Sequence, residues 1–412
     1  MSSPIPQPAP VPHQHHDTPK WALALMLAAL GMLGPFAIDT YIPAFTGMGE
    51  QLKITPLQMQ QTLSVYLAGF ATMMLFHGAL SDAFGRKPII LGGLLFFCIG
   101  SAGCALSTTL TQLLFFRAVQ GISVGAGMVV GRAMIRDLYA GADAQRLMAM
   151  VTLWFGIAPA IAPIIGGYFF VWFGWQSIFW LLTIFTAILL LTSALTLHET
   201  LPVASRQSFR PRALFAGYSE VGMNVPFILL SLAMGLNFNG FFLYFMSAPV
   251  YLPGTLNLLP TQFAYLFVPG IAGVMVGAMI SGRVAGSWSP AKTISTGYKI
   301  MLSAAVLNMI YNAAMTPAVP WAMAPIFMYA IGSSMTSTAL TITVLDMFPT
   351  RRGMAASLQS FVSASVNVVV AGIISPLVSH SGAWMAFSML ALVGTGCVCW
   401  LVSQRVRCDA LA

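Results

Sequence analysis

The chain has 412 residues, of which 58% are hydrophobic and 7% are charged, with a formal net charge of +8 and a mean hydropathy of +0.83. A soluble globular protein carries about 25% charged residues, which is what covers its surface. The composition therefore excludes a soluble protein of this size and predicts an integral membrane protein.

The first twenty residues form a Pro-, Gln- and His-rich segment. Residues 1–20 include "PIPQPAPVPHQHH" and lack the apolar core of a signal peptide. We expect a disordered cytoplasmic tail here, with the first span directing insertion; metal binding by "HQHH" is the alternative. The five cysteines have neither the spacing of a zinc site nor that of a disulfide framework, so we expect no metal and no cofactor.

Apolar runs of about 20 residues mark transmembrane helices. Twelve such runs predict an all-α membrane protein, with spans at about 21–45, 56–79, 89–107, 110–132, 147–170, 175–197, 226–249, 261–281, 293–313, 319–343, 353–377 and 383–404. The longest polar interruption divides them six and six, and similar segments recur at similar offsets on either side, which favours a duplicated six-helix unit. The predicted divisions are an N-terminal bundle at 21–197, a cytoplasmic linker at 198–225, a C-terminal bundle at 226–404 and a cytoplasmic tail at 405–412.

Two charged residues lie deep in these spans. Asp39 follows "GPFAI" in the first span, and Arg117 lies in the fourth, within "LLFFRAVQGISVGAG". A charge at membrane depth costs roughly 2.5–3.5 kcal/mol on insertion scales. A carboxylate and a guanidinium that face one cavity lower each other's burial cost. One interpretation is that Asp39 and Arg117 face one cavity and have a functional role. The alternatives are a purely structural ion pair and two residues that never meet.

A polar motif, "GALSDAFGRKP" at 78–88, follows the second span. We expect Arg86 and Lys87 to pair with Asp137, which follows the fourth span. The motif resembles the signature of the major facilitator superfamily, and that resemblance implies that Asp82 accepts hydrogen bonds at the N-terminus of the eleventh helix, where the helix dipole favours an anion. Topogenic charge followed by a turn is the alternative interpretation.

The basic residues are distributed unequally between the two sides of the membrane. On the twelve-span prediction, Lys53 alone falls on one side, and Arg117 and Lys299 fall within spans. The other fifteen of the eighteen share one side, which is the positive-inside pattern and predicts that both termini are cytoplasmic. Those fifteen are Lys20, Arg86, Lys87, Arg132, Arg136, Arg146, Arg206, Arg210, Arg212, Arg283, Lys292, Arg351, Arg352, Arg405 and Arg407.

Four segments resemble the major facilitator superfamily. "GALSDAFGRKP" matches its signature G-x-L-S-D-x-x-G-R-K/R-P after the second span, and residues 113–127 resemble the R-x-x-Q-G segment of its fourth helix. "GIAPAIAPIIGG" at 156–167 resembles the fifth-helix motif of its antiporters, with Ala162 where a glycine is usual. "AIDTYIPAF" resembles the first-helix D-x-Y-L-P-A of the Bcr/CflA drug-resistance group.

This resemblance implies a major facilitator fold of twelve helices in two six-helix bundles, with substrate held between them. It also implies a proton-coupled antiporter that exports drugs or other small amphipathic molecules across the bacterial inner membrane by alternating access. A proton-coupled symporter or an exporter of a natural metabolite is the alternative. We expect a monomer in contact with membrane lipid, with no nucleic-acid partner. An enzyme is not expected, because "HExxH" is absent and Asp39 has no second deep carboxylate beside it.

The resemblance also assigns roles to residues. Asp39 and Arg117 would couple the proton. The conformational latch would comprise Gly78, Asp82, Gly85, Arg86, Lys87 and Asp137. The antiporter-motif helix would use Gly156, Pro159, Pro163, Gly166 and Gly167. The candidate substrate contacts, each of which can instead form helix–helix hydrogen bonds, are Tyr41, Tyr66, Gln120, Asn237, Asn239, Phe242, Tyr244 and Asn367.

Overall fold

Helices account for nearly all of the structure, a computed structural model that describes residues 20–139, 141–349 and 351–409. The predicted N-terminal tail lies outside these residues, apart from Lys20. No β-strand forms in the described ranges. The α-helices are α1 Lys20–Asp39, α2 Phe45–Leu52, α3 Pro56–Met74, α4 His77–Phe84, α5 Arg86–Ala105, α6 Leu110–Leu138, α7 Gly141–Phe173, α8 Gln176–Thr196, α9 Pro211–Gly222, α10 Val225–Leu256, α11 Ala264–Val284, α12 Pro290–Ala314, α13 Ala324–Asp346, α14 Arg352–Val369, α15 Ser375–Val378 and α16 Gly382–Asp409.

Within the described ranges, nine helical stretches are long and apolar enough to cross a membrane, and a tenth is the pair α3 and α4, bent by 50° at their junction. The two other long helices, α12 and α13, have 25 and 23 residues but are more polar. In α13 three of the four threonine hydroxyls donate back to carbonyls of the same helix, as when Thr336 donates to the carbonyl of Gly332. The count of twelve spans stays a prediction.

The first span runs from Trp21 to Leu52 and so covers the predicted 21–45, but its α-helix is interrupted after Asp39. Helix α1 ends at Asp39, a short 3₁₀ turn covers Ile42–Ala44, and α2 follows at Phe45. Pro43 explains the break, because it has no N–H to donate to the carbonyl of Asp39, four residues earlier, and its ring clashes with that carbonyl. Asp39 therefore lies at a helix end instead of within a helix.

The helices pack as two bundles. Helices α1 and α3 to α8 pack mainly among themselves, and so do α10 to α14 and α16. The seam between the bundles is formed chiefly by α3 against α14 and by α7 against α11. This is the arrangement that the sequence predicts.

The two ends of the seam are chemically different. We call the end that carries Arg86, Asp137 and Arg351 the basic end, and the end that carries Lys53 and Gln60 the opposite end. The predicted linker is structured at the basic end, where it forms a 3₁₀ turn at Val203–Ser205 and then α9. Helix α16 continues to Asp409, through part of the predicted tail at 405–412, and the division of the chain stays a prediction.

Candidate functional site

Among the acidic residues whose side chains the structure describes, Asp39 alone is buried, with 3% of its surface exposed. Its carboxylate forms no hydrogen bond and no ion pair with the residues that the structure describes. Buried charges are normally paired or hydrogen-bonded, because an isolated charge is costly away from water. An unpartnered buried carboxyl group is therefore a candidate for a functional role.

Arg117 is enclosed by side chains of the N-terminal bundle. Its guanidinium carbon lies 4.6 Å from the ring centre of Tyr41 and 4.3 Å from that of Tyr66. Its Nη1 donates to Gln120 Oε1 at 2.9 Å, and its Nε donates to the carbonyl of Thr62 at 3.5 Å. The side chain is fully buried, and Nη2 has no partner. Two aromatic faces and two acceptors therefore stabilise this cation.

The expected ion pair between Asp39 and Arg117 is not formed. Tyr41 and Tyr66 face the guanidinium where a carboxylate would otherwise stabilise it. Because ring faces attract a cation, Arg117 can be buried without Asp39. The role of either residue in proton coupling stays a prediction.

Three of the candidate substrate contacts lie inside the N-terminal bundle and are fully buried, namely Tyr41, Tyr66 and Gln120. The Tyr41 hydroxyl is hydrogen-bonded to that of Thr62. The Tyr66 hydroxyl donates to the carbonyl of Gly34 at 3.0 Å, and Gln120 Nε2 donates to Ser101 Oγ at 2.7 Å. In this conformation their polar groups join helices within one bundle. Substrate contact stays a prediction for each.

Asn237 and Asn239 point to different neighbours, as expected for residues about 200° apart on a helix. Asn237 Nδ2 donates to the Tyr298 hydroxyl of α12 at 2.9 Å, inside the C-terminal bundle. Asn239 Nδ2 donates to Asn367 Oδ1 of α14 at 2.6 Å. The Oδ1 atoms of Asn237 and Asn239 are buried without a partner. Asn239 is therefore joined to α14, one of the helices that form the seam.

Phe242 and Tyr244 also differ in their surroundings. Phe242 is 9% exposed and lies 4.9 Å from the ring of Phe238, which is 37% exposed. Tyr244 is buried, and its hydroxyl accepts from Asn308 Nδ2 of α12 at 2.6 Å. Tyr244 therefore belongs to the interior of the C-terminal bundle. Asn308 was not predicted, although an amide within a long helix is a signal that the sequence offers.

The glycines of the antiporter-like segment permit two close contacts of α7 at the opposite end. A Cβ atom at Gly166 would overlap the carbonyl of Thr40, the residue after Asp39. A Cβ atom at Gly167 would lie 2.6 Å from the carbonyl of Pro260, which precedes α11 in the C-terminal bundle. The segment, which also includes Gly156, Pro159 and Pro163, lies within one uninterrupted helix.

Arg86 is the centre of the predicted latch. Its Nη1 is paired with Asp82 and donates to Ser81 Oγ at 2.7 Å, and its Nε donates to Asp137 Oδ2 at 3.0 Å. Thr200 donates to the same oxygen of Asp137 at 2.9 Å. One buried guanidinium thus joins the ends of α4, α5 and α6, and its charge strengthens each hydrogen bond.

Glu199 completes the latch and was not predicted. It accepts from the backbone N–H of Arg86 at 2.9 Å and of Lys87 at 3.3 Å, so it caps the N-terminus of α5. Gly85 has φ +102° and a Cβ there would overlap the Glu199 carboxylate, so both conformation and space require glycine. Two features of the sequence could have indicated Glu199. It is one of only ten acidic residues, and it follows the sixth span closely.

Two details of the predicted latch are wrong. Lys87 Nζ donates to the carbonyl of Ala194 at 2.9 Å instead of pairing with Asp137. The Asp82 carboxylate is bonded to Arg86, and no hydrogen bond joins it to the described residues of α14. Asp82 pairs with Arg86 instead of with α14 because Asp82 and Arg86 are four residues apart with a glycine turn between them. Gly78 lies one turn earlier, in α4.

Gln60 joins the two bundles at the opposite end. Its Nε2 donates to the carbonyl of Met246 at 3.1 Å and to Ser375 Oγ at 3.0 Å. Ser375 is in turn hydrogen-bonded to Ser247 Oγ at 2.9 Å. These residues line a cavity of about 250 Å³ that also includes His380. The bundles are therefore closed against each other at this end by buried polar contacts.

Similarity to known proteins agrees with this architecture. The family profile described as Major Facilitator Superfamily matches residues 25–371. The chain is 28% identical over 382 residues to a bicyclomycin resistance protein homolog of Haemophilus influenzae, with 90% of this chain and 92% of the relative covered. It is 27% identical over 315 residues to a chloramphenicol resistance protein of Pseudomonas aeruginosa, with 76% and 73% covered.

A solved structure shows the same fold. The crystal structure of a bacterial homolog to the human lysosomal transporter Spinster, inward-facing and occupied, superposes with a TM-score of 0.72 over 94% of this chain and 97% of that one. The identity between the two is 16%, so the likeness concerns the fold. A family match over most of the chain and two bundles of apolar helices lead to one conclusion. The chain belongs to the Major Facilitator Superfamily and is a multi-pass membrane transporter.

Proposed function

We propose that this transporter is a proton-coupled antiporter that exports drugs or other small amphipathic molecules across the bacterial inner membrane by alternating access. The observation that carries the proposal is Asp39, buried at the end of α1 with no hydrogen bond or ion pair to a described residue. A carboxyl group without a fixed cation beside it responds strongly to water and to approaching charge. It is suited to gain and lose a proton as the transporter changes conformation.

The position of Asp39 supports this role. The next residue, Thr40, is in close backbone contact with Gly166 of α7, and Gly167 contacts Pro260 of the other bundle. A change in the contact between the bundles is therefore transmitted through α7 to the end of α1. Alternating access needs only that the proton and the substrate favour different conformations.

The substrate contacts that we propose lie along α10 near the seam. Asn239 presents an unpartnered, buried Oδ1 beside Asn367, and Phe238 and Phe242 supply aromatic surface nearby. A few amides among aromatic side chains are typical of sites for small amphipathic molecules. The names of the two resistance-protein relatives favour drugs as cargo. We assign the basic end to the cytoplasm, because positive charge stays inside.

The test is a resistance assay in an efflux-deficient bacterium with chloramphenicol and bicyclomycin, followed by transport in proteoliposomes. We expect the wild-type chain to raise resistance and Asp39→Asn to abolish it at equal membrane abundance. Glu50→Gln is the matched control, because Glu50 is an exposed acid at the opposite end. Full resistance from Asp39→Asn would exclude this carboxylate as the proton carrier. Drug movement in the same direction as the proton would instead indicate a symporter.

A further inference from the structure

Helix α9 lies across the seam between the two bundles at the basic end. The Tyr218 hydroxyl donates to the carbonyl of Leu75 at 2.8 Å, at the break between α3 and α4. On the other side of the seam, Glu220 pairs with Arg351, and Gly217 packs against Met354 of α14. The helix therefore lies level with the ends of two spans, which is the depth of the lipid headgroups.

The face of α9 directed away from these contacts is exposed. Gly217 and Val221 lie on the buried face. Arg212, Phe215 and Met223 lie on the exposed face. Phe215 follows Arg212 by three residues and Met223 follows it by eleven, about three turns, so all three lie on one side of the helix. Phe215 is 55% exposed and Met223 is 79% exposed. Large apolar side chains are thus open at headgroup depth.

The same segment carries uncompensated positive charge. Arg210 and Arg212 are exposed, and neither forms an ion pair with a described residue. The Arg210 guanidinium donates to Ser208 Oγ. The two acids of the linker are already engaged, because Glu199 pairs with Arg206 and Glu220 pairs with Arg351. Two arginines therefore remain free beside the exposed apolar side chains.

We propose that the exposed face of α9, with Arg212 and Phe215 and the flanking residues Arg210 and Met223, docks on anionic phospholipid headgroups of the cytoplasmic leaflet. Surface helices bind such lipids by placing apolar side chains at the acyl boundary and basic side chains among the phosphates. Each arginine near an anionic surface favours binding by roughly fivefold. Because α9 contacts both bundles, the lipid that it holds also influences the seam.

The experiment uses the full chain with its five native cysteines replaced and one introduced at Ser219→Cys, on the exposed face of α9, labelled with an environment-sensitive NBD fluorophore. The protein is reconstituted in vesicles of phosphatidylcholine alone or with about 30% phosphatidylglycerol, an anionic lipid. We expect a blue-shifted, brighter emission with the anionic lipid and a loss of that change in high salt.

The deciding variant is Arg210→Gln with Arg212→Gln, which is expected to weaken the response to phosphatidylglycerol by about 25-fold. Arg283→Gln, an exposed arginine at the basic end of α11, is the matched control and is expected to leave the response unchanged. Equal emission in the two vesicles, or an undiminished response in the double variant, would overturn the proposal. So would an equal response to phosphatidylethanolamine, which is not anionic. The readout does not depend on which drug, if any, is transported.

Discussion

The hydroxyl of Tyr218 donates a hydrogen bond of 2.8 Å to the backbone carbonyl of Leu75. Leu75 lies where α3 gives way to α4 and the second span bends by 50°. Carbonyl groups at a helix end lose their helical donors and need other partners. A side chain of the linker thus satisfies the backbone at a bend in a membrane span, and so ties the linker to the N-terminal bundle.

Replacing this hydroxyl is expected to loosen the bend. Tyr218→Phe should lower the free energy of unfolding by about 1 kcal/mol, the usual contribution of one hydrogen bond. Thermal unfolding of the purified protein in detergent measures the effect. Tyr265→Phe is the matched control, because Tyr265 is 52% exposed and should give no change. An equal loss in the two variants would argue against a role for the Leu75 contact.

The same bond has a predicted pH dependence. Burial raises the pKa of the Tyr218 hydroxyl above its ordinary value of 10.0. The protonated form is therefore favoured by folding, and its stabilising effect is complete below pH 10 and lost as the pH rises through the folded-state pKa. The difference in melting temperature between wild type and Tyr218→Phe should be constant near neutral pH and should shrink in strongly alkaline buffer.

The latch predicts unequal effects for two neighbouring basic residues. Arg86→Gln leaves Asp82 and Asp137 without their shared cation, and we expect a loss of about 2–3 kcal/mol, moderated by water at Asp82. Lys87→Gln removes one bond to the carbonyl of Ala194 and should cost less than about 1 kcal/mol. Unfolding of both variants in parallel checks this order. Equal losses of stability in the two variants would show that these positive charges matter only for the orientation of the chain in the membrane.

The contact of Gln60 with the other bundle predicts a change in accessibility. Gln60→Leu removes the donor to Met246 and Ser375, and it should increase opening at the opposite end. A Val250→Cys reporter in the adjoining cavity should then react faster with an impermeant thiol reagent. Gln61→Leu is the control, because Gln61 is exposed. Unchanged reactivity in the Gln60 variant would show that this contact does not hold the end closed.

Asp39 as a single proton carrier predicts how export responds to voltage. One proton entering per neutral molecule exported moves one charge, so 100 mV should add about 2.3 kcal/mol of driving force. Exchange of one proton for a monovalent cation moves no net charge and should respond to the pH gradient alone. Proteoliposomes with the two gradients clamped separately distinguish these cases. Voltage-driven accumulation of a monocation would require a second proton site.

Local sequence was sufficient for the membrane class and the helical fold. Hydropathy over about 20 residues is a property of consecutive positions, so spans can be predicted from it. Within the latch only the pair of Asp82 with Arg86 is similarly local, because the two are four positions apart and Gly85 provides the turn between them. The break at Asp39 could also have been predicted, because Pro43 lies four residues after it.

Only the tertiary structure decided which polar groups meet. The sequence predicted that Arg117 pairs with Asp39, yet Arg117 lies between Tyr41 and Tyr66 while Asp39 has no partner. The partners depend on how each helix is rotated about its axis, which is set by packing against helices distant in the chain. For the same reason Glu199, 113 residues from Arg86, and Gln60, 315 residues from Ser375, gave no local sign of their partners. Hydropathy fixes that a helix spans the membrane, whereas the packing of its neighbours fixes what each of its side chains touches.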